Sequence, residues 1–399
     1  MTHRFISIAL ASLFVFYSSK AGNPLPLPSS TPWDLPSLKK SPPFEWQNTE
    51  SEVKSLIYQG LTYKEASSQV FAYYASPKEF GYNEKTYPAM VLVHGGGGSA
   101  FEAWAKLWAR KGYVAIAMDL AGRGADHARL PQGGPDQGHE QKFATIDEPL
   151  TQQWTYHAIA NVLLAHSLIR SFDEVDSERI GVTGISWGGY LTCIIAGVDD
   201  RFQFAMPVYG CGFLRENSVW KESEFGKMTQ SQSDRWHQLW DPSTYLASAE
   251  MPVFFLNGTN DFAYPMDSYA KSCALVQTEK NYSIQLRMKH GHLFDFPEFF
   301  VVADHYLREG TALPFVSRPT LGEGKLKASV NTKTKLHTAR LHFTKGPHAD
   351  NKDREWTTIP LKVNGTLVQG ESPPNEATAY YIDVRDERNI LVSSEVIAR

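Results

Sequence analysis

Cysteine is scarce in this chain. Three in 399 residues, an odd number with no C-x-x-C pair, support neither a disulfide framework nor a thioredoxin-type redox motif. Cys193 and Cys211, on a helix-like run and at a strand end, are expected to be buried apolar fillers. A basic excess is also missing: Lys and Arg total 39 against 43 Asp and Glu, a net charge of −4, so nothing recommends nucleic acid as a partner. Long hydrophobic runs are absent too. The apolar stretch 5–17 is too short to span a bilayer comfortably, so no membrane span is expected. It follows Met1-Thr2-His3-Arg4 and precedes Ser19-Lys20-Ala21, the order of a signal peptide over residues 1–21, which implies a secreted or periplasmic protein. No His/Cys/Asp cluster has zinc-like spacing; Asp126-His127 and Gly138-His139-Glu140 are weak pairs within one loop. Neither a P-loop nor a full dinucleotide-binding fingerprint occurs at the glycine-rich turn after residue 93. No metal and no cofactor are expected.

What the chain does contain is Gly184-Ile185-Ser186-Trp187-Gly188, one serine in a G-x-S-x-G frame between a β-branched run and a helix-forming run. A sharp strand-to-helix turn forces unusual backbone angles on the serine, and the helix N-terminus then lies under any oxyanion formed there. Ser186 is therefore the expected nucleophile. A serine hydroxyl is a poor nucleophile at neutral pH and needs an imidazole to take its proton, with a buried carboxylate to fix the imidazole tautomer. Downstream, the apolar run 251–256 leads into Asn257-Gly258-Thr259-Asn260-Asp261, and an alternating run from 283 leads into His290-Gly291-His292. Asp261 suits the carboxylate role, whereas Asp267 fits the start of a helix. The two histidines fall on one face if the strand continues through them. His292 is preferred as the base, because it follows a flexible glycine and can turn back toward Ser186, and His290 is then expected to line the site.

The run 89–93 ends in His94-Gly95-Gly96-Gly97-Gly98-Ser99. Consecutive glycines leave backbone N–H groups free to approach a substrate oxygen, so the expected oxyanion hole is the Trp187 N–H with that of Gly96, Gly97 being the alternative. His94 is expected to brace this loop at the edge of the substrate site, not to act as a catalyst. Two long insertions, 122–149 with Arg123, His127, Arg129 and Gln137, and 211–248 with Phe213, Trp220, Trp236 and Trp240, are expected to build the pocket. His94, Gly97, Arg123, His290 and Trp220 are the expected substrate-binding positions, with most tryptophans of the second insertion serving as packing.

Along the chain, residues 22–54 open with a Pro- and Ser-rich extended lead-in. Antiparallel strands over 54–63 and 68–74 follow. From there strands and helices alternate: helix 102–111, strand 113–118, helix 150–172, a strand to 183, the elbow helix, strand 204–209, strand 253–256, helix 266–276, strand 283–288 and helix 298–307. This predicts an α/β fold with a mostly parallel sheet covered by helices over 55–313, its reacting groups beyond the carboxyl ends of the strands. After Pro314 the texture becomes β-rich, with runs at 336–343, 356–361 and 379–384, which predicts a small C-terminal β-sandwich over 314–399, packed on the larger domain.

Val93-His94-Gly95-Gly96-Gly97-Gly98, Met118-Asp119-Leu120-Ala121-Gly122-Arg123-Gly124, Gly184-Ile185-Ser186-Trp187-Gly188-Gly189-Tyr190 and Asn257-Gly258-Thr259-Asn260-Asp261 together resemble the α/β-hydrolase superfamily. The resemblance is nearest to dienelactone-hydrolase-like and acetyl-xylan-esterase-like members, and covers roughly residues 55–310. The doubled glycine after the elbow is also similar to the prolyl oligopeptidase clan. Dienelactone hydrolases have a cysteine where this chain has Ser186, and there is no room here for the propeller of the oligopeptidases. The resemblance implies a secreted serine esterase acting on small-molecule or polysaccharide esters, carbohydrate acetyl esters first. A peptidase or arylesterase with the same triad is the alternative. A hydrolase-fold binding module without turnover is the alternative of another class.

Overall fold

The structure is a computed structural model, which describes residues 22–347 and 351–399; the expected signal peptide lies outside them. The first strands are β1 Phe44–Asn48, β2 Val53–Tyr63, β3 Ala66–Ala75, β4 Tyr87–Val93, β5 Val114–Met118, β6 Val175–Ile185, β7 Phe204–Val208, β8 Val253–Gly258 and β9 Lys280–Gln285. They lie side by side in the order β1-β2-β3-β5-β4-β6-β7-β8-β9. From β5 to β9 all neighbours are parallel, while β1, β2 and β3 pair antiparallel at one side. β4, β5 and β7 are continuous apolar runs buried along their whole length, as strands covered by helices on both faces must be. The chain is thus an α/β protein with a mainly parallel sheet.

The helices Glu102–Arg110, Trp154–Ile169, Trp187–Val198, Met266–Leu275 and Pro297–Arg308 supply that cover. Helix Trp187–Val198 is buried at every residue, which its uniformly apolar sequence permits. The helix expected to begin at Leu150 begins at Trp154 instead. Leu150–Gln152 makes a separate 3-10 turn, and the Trp154 indole N–H, donating to the Leu120 carbonyl at 2.7 Å, ties the true helix start to the end of β5. The lead-in is more ordered than its proline content suggests. Trp33 is buried against Tyr156, Trp240 and Tyr245 and donates its indole N–H to the Tyr156 carbonyl at 2.9 Å. One large aromatic thus anchors a stretch with little periodicity of its own. Among the described residues no helix is long and apolar enough to cross a membrane.

The C-terminal part consists of β10 Phe315–Val316, β11 Thr320–Gly322, β12 Lys325–Asn331, β13 Leu336–Thr344, β14 Thr357–Pro360, β15 Lys362–Asn364, β16 Leu367–Glu371, β17 Ala379–Asp386, β18 Leu391–Ser393 and β19 Ile397–Ala398. These strands divide between two antiparallel layers. One, β10-β12-β16-β15 with β11, is a sheet of its own; β12 alternates exposed and buried residues strictly, the mark of a strand wet on one face. The other, β18-β17-β13-β14, does not stand apart, because Ser393 of β18 pairs with Tyr282 of β9 and prolongs the central sheet, which reaches 14 strands. The open edge that β9 would otherwise present is thereby covered. Buried Leu326, Val368, Leu341 and Ile382 belong to the same apolar core as β4 and β6, so this small unit has no separate core to sustain it alone.

Candidate active site

Every candidate reacting group sits beyond a carboxyl end of the parallel strands, where the chain changes direction. Ser186 follows β6 directly and holds φ 59° and ψ −118°, a left-handed conformation strained for a residue with a side chain. Its flanking glycines are a steric requirement. A Cβ on Gly188 would stand 1.9 Å from the Val93 carbonyl oxygen, and one on Gly184 would stand 2.2 Å from that of Gly188. Helix Trp187–Val198 can approach β4 and β6 only without those side chains.

The imidazole beside the serine is His290. Its Nε2 lies 2.9 Å from Ser186 Oγ and its Nδ1 lies 2.6 Å from Asp261 Oδ2. With Nδ1–H donating to the carboxylate, Nε2 is left to accept from the serine hydroxyl. Asp261, beyond β8, is buried, and its other oxygen accepts from the N–H groups of Ala263 at 2.9 Å and Tyr264 at 2.8 Å. The His290 ring stacks on Tyr209 at 4.3 Å and meets Phe262 edge-on at 4.8 Å. The Tyr209 hydroxyl in turn donates to the Lys289 carbonyl at 2.6 Å, which fixes the backbone next to the imidazole.

His292, the preferred base by sequence, is elsewhere. Its Nε2 accepts from the Gly95 N–H at 3.1 Å and its ring packs on Phe101 at 4.8 Å. Burial, with His94 and His290 nearby, pushes its pKa down to about 4, so it is a neutral acceptor bracing the glycine loop. The physical reason is where β9 stops. The strand expected through Met288 ends at Gln285; Arg287 takes φ 52° and donates its N–H to Thr259 Oγ1 at 2.9 Å. Once the strand has ended, the two-residue alternation says nothing about which histidine faces Ser186.

Gly96, Gly97, Ser186, Trp187, His290, Arg123 and Trp220 all line one cavity of about 970 Å³. Among the described residues neither the Gly96 nor the Trp187 backbone N–H donates to a protein acceptor, whereas that of Gly95 is taken by His292. Two N–H groups therefore remain available beside the serine hydroxyl. Gly97, at φ 70°, forms the tip of the loop. His94, expected at the substrate, does not reach the cavity. It is buried, donating from Nδ1 to the Gly95 carbonyl at 2.8 Å and accepting at Nε2 from the Leu120 N–H at 2.9 Å. Burial holds its pKa near 4, so it stays a neutral strut between the glycine loop and the end of β5.

Both insertions contribute walls. Asp119 caps the first by accepting from the N–H groups of Ala121 at 2.9 Å and Arg123 at 2.7 Å, with its pKa raised to about 6 by burial. Arg129 ties the same loop together through the carbonyls of Ala121 and Gly134, and Arg123 pairs with Asp136 at 3.0 Å. From the second insertion, Trp220 reaches the cavity and packs on Trp187 at 4.6 Å. Trp236 and Trp240 are core residues, their indoles donating to the Lys142 carbonyl and to Gln153 Oε1, each at 2.8 Å. Cys193, Cys211 and Cys273 are buried and unpaired, and burial raises their thiols away from reactivity.

Two cavity residues and one support behind the acid loop had no sequence signal of their own. Phe262 is half exposed over His290; the turn after Asp261 presents it, and no periodicity announces a turn residue. Lys142 lines the cavity from a helix too short to show a pattern. Asn351, far away in the chain, donates from Nδ2 to the Asp261 carbonyl at 2.7 Å.

The acetyl xylan esterase family model matches residues 34–229, a segment that contains the glycine loop, the first insertion and the elbow. The fold is similar to the acetyl xylan esterase from Paenibacillus sp. R4, with a TM-score of 0.52 at 19% identity over 68% of this chain and 92% of that one. This chain has the α/β-hydrolase fold. A second esterase, acetyl xylan esterase 1 from Thermoanaerobacterium sp. JW/SL YS485, is similar at a TM-score of 0.51 and 16% identity, covering 73% of this chain and 96% of that one. In sequence, the chain is similar to the uncharacterized peptidase YuxL of Bacillus subtilis, 27% identical over 201 residues, 46% of this chain and 27% of that protein. It is also similar to dipeptidyl-peptidase 5 of Schizosaccharomyces pombe, 23% identical over 209 residues, 49% of this chain and 28% of that one. The chain spans less than a third of the length of these two curated relatives.

Proposed function

We propose that this protein is a secreted serine hydrolase, an esterase that cleaves carboxylic esters, acetyl esters of carbohydrates foremost, through an acyl-enzyme on Ser186. The observation that carries the reading is the unbroken relay from Ser186 Oγ through His290 to Asp261 at the wall of an open cavity. In the first half-reaction Ser186 Oγ attacks the ester carbonyl carbon while its proton passes to His290 Nε2. Asp261 keeps Nδ1 protonated and stabilises the imidazolium. The free N–H groups of Gly96 and Trp187 receive the negative charge that develops on the carbonyl oxygen. As the tetrahedral species collapses, His290 returns the proton to the departing sugar oxygen. Water then repeats the sequence on the acyl-enzyme, and acetate leaves.

Resemblance to the acetyl xylan esterase family favours acetate as the acyl group, and the cavity is large enough for a sugar ring. Peptidase is the second reading, favoured by the similarity to the peptidase YuxL and to dipeptidyl-peptidase 5. Acetate release from acetylated xylan, compared with cleavage of aminoacyl anilides, separates the two: turnover of the anilides alone overturns the esterase. A fluorophosphonate probe is expected to label Ser186 in the folded protein. Failure to label it would point to a binding module on this scaffold.

A further inference from the structure

Lys142 stands in the cavity wall without a part in the esterase chemistry. Its side chain is buried, yet it lines the cavity, with the ammonium 4.6 Å from the Trp187 ring and 5.1 Å from that of Trp154. Nζ stands 3.7 Å from the point where a Cβ on Gly96 would be, so it borders the glycine loop beside the reacting serine. Its backbone carbonyl is held by the Trp236 indole at 2.8 Å, which fixes where the side chain starts. Among the described residues the ammonium makes no hydrogen bond and no ion pair to any protein group. Indole faces attract a cation by about 0.5–2 kcal/mol but accept none of its three N–H bonds. A lysine whose side chain is this buried ordinarily has a carboxylate partner. The nearest acid on the wall, Asp136, is already paired with Arg123.

Resting on the ester reading above, we propose that the sugar ester taken by this cavity carries a carboxylate, as a uronic acid does, and that Lys142 is its counter-ion. The acyl group in that reading is acetate, too small to bear a second charge, so the anion belongs to the sugar side. The wall agrees in sign. Arg123, with Asp136 as partner, and His127 and His139, the latter 3.4 Å from Glu224, stand along it, and Lys142 adds one cation beyond those pairs. Desolvation lowers the Lys142 pKa to about 7, with Asp136 opposing weakly. A bound carboxylate restores the charged form.

Binding and turnover test different layers of this. Methyl galacturonide and methyl galactoside differ in one carboxylate, and calorimetric titration of both into the whole protein reads the inference directly. The uronide is expected to bind about tenfold to a hundredfold tighter, the range of a charge-assisted hydrogen bond, and Lys142→Met is expected to equalise the two. Equal binding by the native protein, or a uronide preference that survives Lys142→Met, overturns the proposal. The native protein offers a second reading that needs no variant. The uronide preference is expected to be present at pH 6 and to fade as pH rises through and above the Lys142 value, with Asp136, Arg123, His127, His139, Glu224, His94 and His290 as the other charged or titratable groups about the cavity. A preference constant from pH 6 to 10 counts against Lys142 as its source. Turnover of the monoacetylated sugars is scored separately as a ratio: preference for the acetylated uronide supports both layers. Tighter uronide binding with no hydrolysis of either ester leaves the anion site standing and overturns only the esterase.

Discussion

Two histidine–carboxylate pairs of this molecule, His290–Asp261 and His166–Asp199, differ in what the free imidazole nitrogen meets. Beyond the carboxyl ends of the strands, His290 has Asp261 on one nitrogen and the Ser186 hydroxyl on the other, with an open cavity alongside. At the far end of helix Trp187–Val198, His166 has Asp199 at 2.9 Å on Nδ1, but its Nε2 is buried without a partner and its ring is stacked on Phe202 at 3.7 Å. Asp199 is moreover clasped by Arg201 through two further hydrogen bonds at 2.7 Å. A shared pair of residue types therefore does not make a site. The open pair has a hydroxyl and room for a reactant; the closed pair has neither, and serves the packing of two helices.

The sharpest break of the comparison is to remove each imidazole in turn. His290→Ala is expected to lower kcat by about 10⁴-fold or more with the fold intact, the size of loss seen when a relay member is deleted. His292→Ala removes the acceptor for the Gly95 N–H and the ring packing on Phe101 but no relay member, and is expected to retain most of kcat. Steady-state kinetics on an activated acetyl ester read both. Equal losses in the two variants would mean that the open relay is misassigned.

The closed pair is expected to show itself in stability instead. Asp199→Ala leaves the partly buried Arg201 and the buried His166 without their carboxylate and is expected to cost about 3–5 kcal/mol in denaturant unfolding. The activity of each folded molecule should be unchanged. An Asp199→Ala protein of native stability but poor activity would erase the distinction between the two pairs. Acid sharpens it further. Burial lowers the His166 pKa to about 4, against about 6.5 unfolded, even with Asp199 adjacent, since Arg201 and Arg170 oppose the carboxylate. A depressed imidazole binds fewer protons folded than unfolded, so its stabilisation is fully present above about pH 6.5 and is lost progressively as pH falls toward 4. His94 and His292, also lowered to about 4, act in the same direction, and Asp119, raised to about 6, acts against them. The melting temperature is expected to fall between pH 6.5 and 4, and more gently in a His166→Phe variant.

How far the sequence discloses all this depends on the range over which each signal acts. The elbow is legible because its constraint is local: Gly184 and Gly188 are dictated by contacts with strands next to them, and the frame can be read without a partner. The acid is legible for a similar reason, since an apolar strand running into Asn257-Gly258-Thr259-Asn260-Asp261 delivers a carboxylate at a strand end. The base is not. Alternation holds while the chain is paired, and β9 stops at Gln285, five residues before His290, so the choice between the histidines rests on tertiary contacts with Tyr209 and the Gly95 N–H. The C-terminal layers show the same limit. Alternating runs announce β13 and β17, but β18, three residues long, carries the pairing with β9 that turns one of those layers into an extension of the central sheet.

That extension supplies the last and smallest test, because it brings the C-terminal part to the acid loop. Asn351 Nδ2 donates to the Asp261 carbonyl at 2.7 Å, and the neighbouring Asn260 side chain donates to the carbonyls of Lys352 at 3.0 Å and Arg354 at 2.7 Å. None of these groups touches the cavity, so the loop bearing the carboxylate is steadied from behind by a segment some ninety residues on. Asn351→Ala removes one buried donor and leaves the Asp261 carbonyl unpaired, which is expected to cost about 1–3 kcal/mol of stability. If the C-terminal part merely covered the sheet edge, kcat would stay put while stability fell. If it also positions the acid, kcat falls several-fold with KM little changed, because a displaced carboxylate weakens support for the imidazolium formed in the transition state and not the binding of the ester. The geometry favours the second outcome, since the bond is to the backbone of the acid itself, and an Asn351→Asp variant, which exchanges the donor for an acceptor, is expected to show the same loss of kcat.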